Sequence, residues 1–320
     1  MKGLVIKSTG TSYGVHFLDG TTADCHVKGN FRIRGIRSTN PVAIGDYVEV
    51  KTENGTGKGE SELTYWITEV YDRKNYIVRR STNLSYASHI LAANVDMAAL
   101  IVTIRHPETS TTFIDRFLAT CEAYRVPACI IFNKVDLLNE DELQELAALR
   151  QLYESLDYPT YAISALTLSS SPIASIFEGK VTLLSGNSGV GKSTLLNAIL
   201  GKDIARTGAI SSAHHKGMHT TTFSEMYPLH HSTQPLHNSS WIIDTPGIKG
   251  FGLLDIEKEE VGHYFREIFK VARDCRYSNC IHMNEPGCAV NQAVIDGRIA
   301  LSRYESYLSI LDDTTEGKYR

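Results

Sequence analysis

The chain has 320 residues, enough for two or three domains and too many for one small module. Hydrophobic residues make up 42% and charged residues 21%, a globular balance that excludes a disordered chain. The formal net charge is −4, so bulk electrostatics do not point to nucleic acid. No apolar run reaches bilayer-spanning length, Met1–Gly10 has no signal-peptide core, and six cysteines are too few for a secreted disulfide scaffold. The expectation is a soluble, cytoplasmic protein without membrane contact.

In chain order, residues 1–78 read as a small β-barrel of short apolar runs (Leu4–Ile6, Val15–Phe17, Tyr47–Val50) separated by turn signals. Residues 1–80 are mildly basic, 12 Lys+Arg against 9 Asp+Glu, whereas residues 81–252 and 253–320 are acidic. In Phe31-Arg32-Ile33-Arg34 the strand period sends Arg32 and Arg34 to the face opposite Phe31 and Ile33. From Asn94 the rhythm changes. Val95–Ile104 and Ala128–Phe132 read as buried strands, and Phe113–Tyr124 and Asp141–Tyr153 as helices, so residues 79–252 form a mostly parallel α/β sheet. Residues 253–320 are helical and polar, interrupted by a Cys/His cluster.

Four short motifs sit at predicted strand ends. Gly186-Asn187-Ser188-Gly189-Val190-Gly191-Lys192-Ser193, followed by Thr194 at the start of a helix, fits the phosphate-loop template between an apolar strand, Val181–Leu184, and that helix. Its backbone N–H groups would cradle phosphates, with Lys192 on the β and γ phosphates and Ser193 on Mg²⁺. Asp244-Thr245-Pro246-Gly247 follows the strand Trp241–Ile243; Asp244 would hold Mg²⁺ indirectly and Gly247 would let the backbone approach a γ-phosphate. Asn133-Lys134-Val135-Asp136 places a carboxylate at a strand end, where Asp136 would accept two hydrogen bonds from guanine. Ser164-Ala165-Leu166 would cover the guanine edge with backbone groups. Each is weak alone; together they indicate a P-loop GTPase, a hydrolase of GTP.

The order is unusual. The Asn-Lys-x-Asp motif precedes the phosphate loop, which is a circular permutation. The pocket tolerates it because it lies at the C-terminal ends of the strands however they are joined. Cys275, Cys280, His282 and Cys288 form C-x₄-C-x-H-x₅-C, a closed tetrahedral set suited to one structural Zn²⁺ with no position left for a substrate water. Cys25, Cys121 and Cys129 stand in apolar contexts and read as core thiols.

A leading barrel, a permuted GTPase and a trailing Cys/His site resemble the RsgA (YjeQ/YloQ) family of small-ribosomal-subunit assembly GTPases along nearly the whole chain. The resemblance implies an OB-fold, a central GTPase domain and a C-terminal zinc-binding domain. It also implies hydrolysis stimulated by the small subunit, late maturation of that particle, and release on conversion of GTP to GDP. His219, in Gly217-Met218-His219-Thr220-Thr221-Thr222, matches the family's proposed catalytic histidine, acting with Lys192, and Thr221 or Thr222 would contact Mg²⁺ and the γ-phosphate. Ile248 stands where many GTPases carry the glutamine that orients water, so intrinsic turnover should be slow. Arg32, Arg34 and Arg37 would contact rRNA phosphates. The chain is expected to act as a monomer. A rival reading, kept open by Ile248, is a GTP-gated RNA-binding scaffold in which hydrolysis is incidental.

Overall fold

The computed structural model of the chain describes residues 1–9, 12–27, 41–54, 63–80, 88–167, 173–201, 224–229, 240–245 and 256–316. Strands β1 (Lys2–Ser8), β2 (Tyr13–Phe17), β3 (Thr22–Val27), β4 (Tyr47–Asn54) and β5 (Leu63–Val70) close a barrel in the order β1-β2-β3-β5-β4-β1. The β3–β5 pairing is parallel and the others are antiparallel. Alternation drives it. Val5, Val15, Cys25, Val48, Val50 and Ile67 point inward and are almost fully buried, while Glu49, Lys51 and Glu53 face outward between them. At the barrel's foot Arg73 clamps the buried Asp46 carboxylate through two bonds of 2.6 Å.

A hairpin of β6 (Tyr76–Arg80) and β7 (Ser88–Ala93) joins the barrel to the next domain. Residue 78 lies inside β6. Gly45, at φ +87°, packs so closely on this hairpin that a Cβ would sit 2.1 Å from the Ala93 carbonyl oxygen. Asn94 ties the same region together, donating to the Gly45 carbonyl at 2.9 Å.

The central sheet contains β8 (Met97–Val102), β9 (Ala128–Phe132), β10 (Thr160–Ala162), β11 (Val181–Gly186), β12 (Glu225–Pro228) and β13 (Trp241–Asp244), ordered β10-β9-β8-β11-β13-β12. All pairs are parallel except β12–β13. Its inner strands β8 and β9 are apolar and buried throughout because both faces are covered. Leu100, Ile130, Leu183 and Ile243 join one core with Phe117, Leu118 and Tyr153. Ile101, Ile131, Leu184 and Ile242 join the opposite core with Phe177, Leu195 and Leu196. The covering helices are α1 (Thr111–Ala123), α2 (Glu140–Ser155), α3 (Ile173–Ile176) and α4 (Lys192–Leu200). Ser110 caps α1 through the Phe113 N–H, and Asn139 with Glu142 forms a capping box at α2. Barrel and sheet are continuous: β1 pairs with β12 at Lys7↔Glu225.

The C-terminal part holds α5 (Lys258–Val261), α6 (Arg266–Ala272), α7 (Ala289–Ile295) and α8 (Leu301–Glu316). It packs on α1 around a buried ionic cluster, in which Arg303 bonds Asp115 at 2.7 Å and Glu267 at 2.6 Å. Tyr153 donates to the same Asp115 at 2.9 Å. The expected core thiols Cys25, Cys121 and Cys129 are free and buried. Among the described residues no helix is long and apolar enough to cross a membrane.

Candidate nucleotide site and metal centre

The phosphate loop runs from the end of β11 into α4. Gly191 is the N-terminal cap of α4, at φ 92°, and no side chain caps the helix among the described residues. The first-turn N–H groups of this nine-residue helix are thus available to an anion. A Cβ on Gly191 would lie 2.3 Å from Asn133 Nδ2, and one on Gly186 would lie 2.5 Å from the Ile101 carbonyl oxygen. Glycine is demanded here by close approach as much as by backbone dihedrals.

Lys192 is buried and donates to Asp244 Oδ1 at 2.5 Å and to the Thr245 carbonyl oxygen. Thr245 in turn donates to the Leu184 carbonyl at 3.0 Å. Two motifs 52 residues apart in sequence are therefore in direct contact at adjacent strand ends. Ser193 is half-buried one residue further along α4. A lysine, a hydroxyl and a carboxylate so grouped could hold a polyphosphate and its divalent cation.

Asn133 links three segments that the sequence keeps apart. Its Nδ2 donates to the Val190 carbonyl at 2.8 Å, and its Oδ1 accepts from the Ala165 N–H at 2.9 Å. The Lys134 ammonium crosses the loop, donating to the Gly189 carbonyl at 2.6 Å and to the His106 carbonyl at 2.5 Å. Asp136 is exposed in a short 3-10 turn over Val135–Leu137, and Leu166 is 80% exposed. Ser164 Oγ has no hydrogen-bond partner among the described residues. These groups form an open edge able to accept a guanine. The structure thus groups Asn133, Lys134, Ser164 and Ala165 with the phosphate loop Asn187–Val190. His219, Thr221, Thr222, Gly247, Ile248 and the arginines Arg32, Arg34 and Arg37 lie outside the described residues.

One part of the site escapes sequence reasoning. The segment 103–109 lies over the loop, with Thr103 Oγ1 donating to the Pro107 carbonyl at 2.5 Å and Pro107 lying 3.4 Å from the Cβ position of Gly189. It carries no motif, and its one signal is that polar residues directly follow the buried strand β8 at the sheet edge where the other motifs end.

The second constellation is metal-like. The ligand atoms of Cys275, Cys280, His282 and Cys288 all lie within 4.8 Å of one another. Cys275 Sγ is 3.9 Å from Cys288 Sγ, and His282 Nδ1 is 3.6 Å and 3.5 Å from the same two sulfurs. A tetrahedral zinc ion with ordinary bond lengths requires S···S edges of about 3.8 Å and S···N edges of about 3.5 Å. The donor set and spacing therefore fit a closed metal site. Burial pushes the Cys280 thiol up to about 12 and holds His282 below its ordinary value. Burial thus favours the neutral imidazole that a ligand must be, whereas it disfavours the thiolate, which a bound cation would stabilise.

Known proteins share this architecture. The model of the RsgA GTPase family matches residues 70–254, and that of the RsgA N-terminal domain matches residues 2–59. The small ribosomal subunit biogenesis GTPase RsgA of Phocaeicola vulgatus is 58% identical over 321 aligned positions, covering 100% of this chain and 99% of the relative. Among solved structures, YjeQ from Thermotoga maritima is 32% identical with a TM-score of 0.72, covering 100% of this chain and 99% of its own. YloQ, described as a circularly permuted GTPase, is 27% identical with a TM-score of 0.71, covering 100% and 96%. A permuted GTPase sheet fused to a closed barrel, matched at this identity over the full length, makes this chain a member of the RsgA GTPase family.

Proposed function

We propose that this member of a GTP-hydrolysing family binds the small ribosomal subunit, assists its late maturation and leaves it when GTP is hydrolysed. The observation that carries the nucleotide half of this reading is Asn133, which bonds the phosphate loop on one side and the Ser164-Ala165 segment on the other. Base recognition and phosphate binding are thereby one rigid unit. In this reading Asp136 selects guanine, Gly186–Thr194 cradle the phosphates, and Lys192 moves its charge from Asp244 to the β and γ phosphates. Asp244 is then free to act on Mg²⁺, which Ser193 and Thr222 would ligate and which would neutralise phosphate charge.

The ribosomal half rests on the relatives, whose names place them in small-subunit biogenesis. Ile248 supplies no group to position water, so His219 and contact with the particle complete the site. Cys275, Cys280, His282 and Cys288 hold a structural zinc ion, and Arg32, Arg34 and Arg37 bind rRNA phosphates. The protein acts as a cytoplasmic monomer. The test is the steady-state GTP hydrolysis rate with and without isolated small subunits. Strong stimulation is expected; a flat response with GTP still bound would overturn the proposal in favour of a scaffold.

A further inference from the structure

We propose that Glu285 is a positioning residue of the metal centre, gathering the backbone N–H groups on both sides of His282 so that Cys280, His282 and Cys288 are held in tetrahedral register. The inference rests on reading Cys275, Cys280, His282 and Cys288 as zinc ligands. Glu285 lies between two of them in sequence and its carboxylate is not one of the four donors. Its Oε1 accepts from the Ile281 N–H at 2.8 Å, and its Oε2 accepts from Met283 at 2.9 Å and Asn284 at 3.1 Å. Its own carbonyl accepts from the Cys288 N–H at 3.2 Å. One residue thus bonds next to Cys280, on both sides of His282, and at Cys288 itself.

The loop needs such a clamp. His282 has φ 58°, a left-handed conformation uncommon for residues other than glycine. The carbonyls on the same stretch are fixed from α8: Tyr307 donates to the Ile281 carbonyl at 2.7 Å and Tyr304 to the His282 carbonyl at 2.7 Å. Tyrosines therefore secure the C=O groups and Glu285 secures the N–H groups. The charge argument points the same way. Three thiolates and a divalent ion leave the centre with one net negative charge, so a nearby free carboxylate would oppose binding. Three N–H dipoles absorb that charge, which converts a repulsive neighbour into a brace.

The test uses the full-length protein and Zn²⁺ alone, with affinity read by competition against a chromophoric chelator. Co²⁺ substitution reports geometry through the intensity of its tetrahedral absorption bands. Removing an outer partner of a metal site costs about tenfold to a hundredfold in affinity, and Glu285→Ala should fall in that range with weakened Co²⁺ bands. Glu285→Asp keeps the charge but is too short to reach all three N–H groups, so it should behave like alanine. Glu285→Gln should also weaken binding, since its amide turns a donor toward one of the N–H groups. GDP affinity at the phosphate loop, whose residues take no part in the cluster, certifies the fold of each variant, and the Asp and Gln variants carry the test should Ala not fold. Wild-type zinc affinity in Ala or in Asp would overturn the proposal. A wild-type protein that binds no zinc would instead overturn the ligand assignment on which it stands.

Discussion

Asn133→Ala is the perturbation that most directly tests the proposed nucleotide site. The side chain is 3% exposed and makes two bonds, 2.8 Å to the Val190 carbonyl and 2.9 Å from the Ala165 N–H. Truncation leaves one acceptor and one donor without their partner. Each orphaned buried group costs about 1–3 kcal/mol, so the pair costs about 2–5 kcal/mol once partial relaxation is allowed. Part of this appears as lost stability of the free protein. The rest appears on binding, because the phosphate loop and the Ser164-Ala165 segment are no longer held in register. GDP affinity should then fall about tenfold to a hundredfold, equivalent to about 1.4–2.7 kcal/mol. A fluorescent-nucleotide titration measures the second share and urea unfolding the first. Asn133→Asp preserves the acceptor for Ala165 but turns an oxygen toward the Val190 carbonyl, so it should not rescue. GDP affinity within about threefold of wild type in the alanine protein, with unchanged stability, would refute the reasoning.

Four further outcomes follow from the same geometry and motifs. Lys192→Ala should abolish tight nucleotide binding and also lower the stability of the nucleotide-free protein by about 3 kcal/mol, because Asp244 is left buried and unpaired; thermal unfolding of the free protein checks the second effect. Arg303→Ala strands both Asp115 and Glu267 at the α1–α8 junction and should cost about 3–5 kcal/mol in denaturant unfolding, whereas normal stability would show that the cluster contributes nothing. Zinc affinity should rise with pH: burial raises the Cys280 and Cys288 thiols above their ordinary value, so at least two protons leave as the ion enters. A plot of log affinity against pH near neutrality should therefore have a slope of at least about two, and a slope near zero would contradict thiolate ligation. His219→Ala should abolish subunit-stimulated turnover while sparing GTP affinity, a split that stimulated and single-turnover rates resolve.

Much of this protein is legible in its sequence because the decisive signals are local. A strand end, a glycine-rich turn and a helix start occupy consecutive residues at 181–200, so the loop and its context are visible together. The order of the motifs discloses the permutation for the same reason. The four Cys/His residues of the candidate metal centre fall within one stretch of fourteen residues, 275–288. The buried strands read as continuous apolar runs because both sheet faces are covered.

Tertiary structure alone decided the contacts between segments that no spacing rule connects. Asn133 meets Val190 across 57 residues, and Arg303 meets Asp115 across 188. Barrel closure by a parallel β3–β5 pair and the joining of β1 to β12 are likewise pairings between distant strands. So is the seating of segment 103–109 over the phosphate loop. Even Glu285, close in sequence to Cys280, His282 and Cys288, reads as one more surface acid until its carboxylate is seen among three N–H groups. The physical reason is common to all of them. Periodicity and turn chemistry act over a few residues, whereas a buried polar group takes whichever partner the packed chain brings to it.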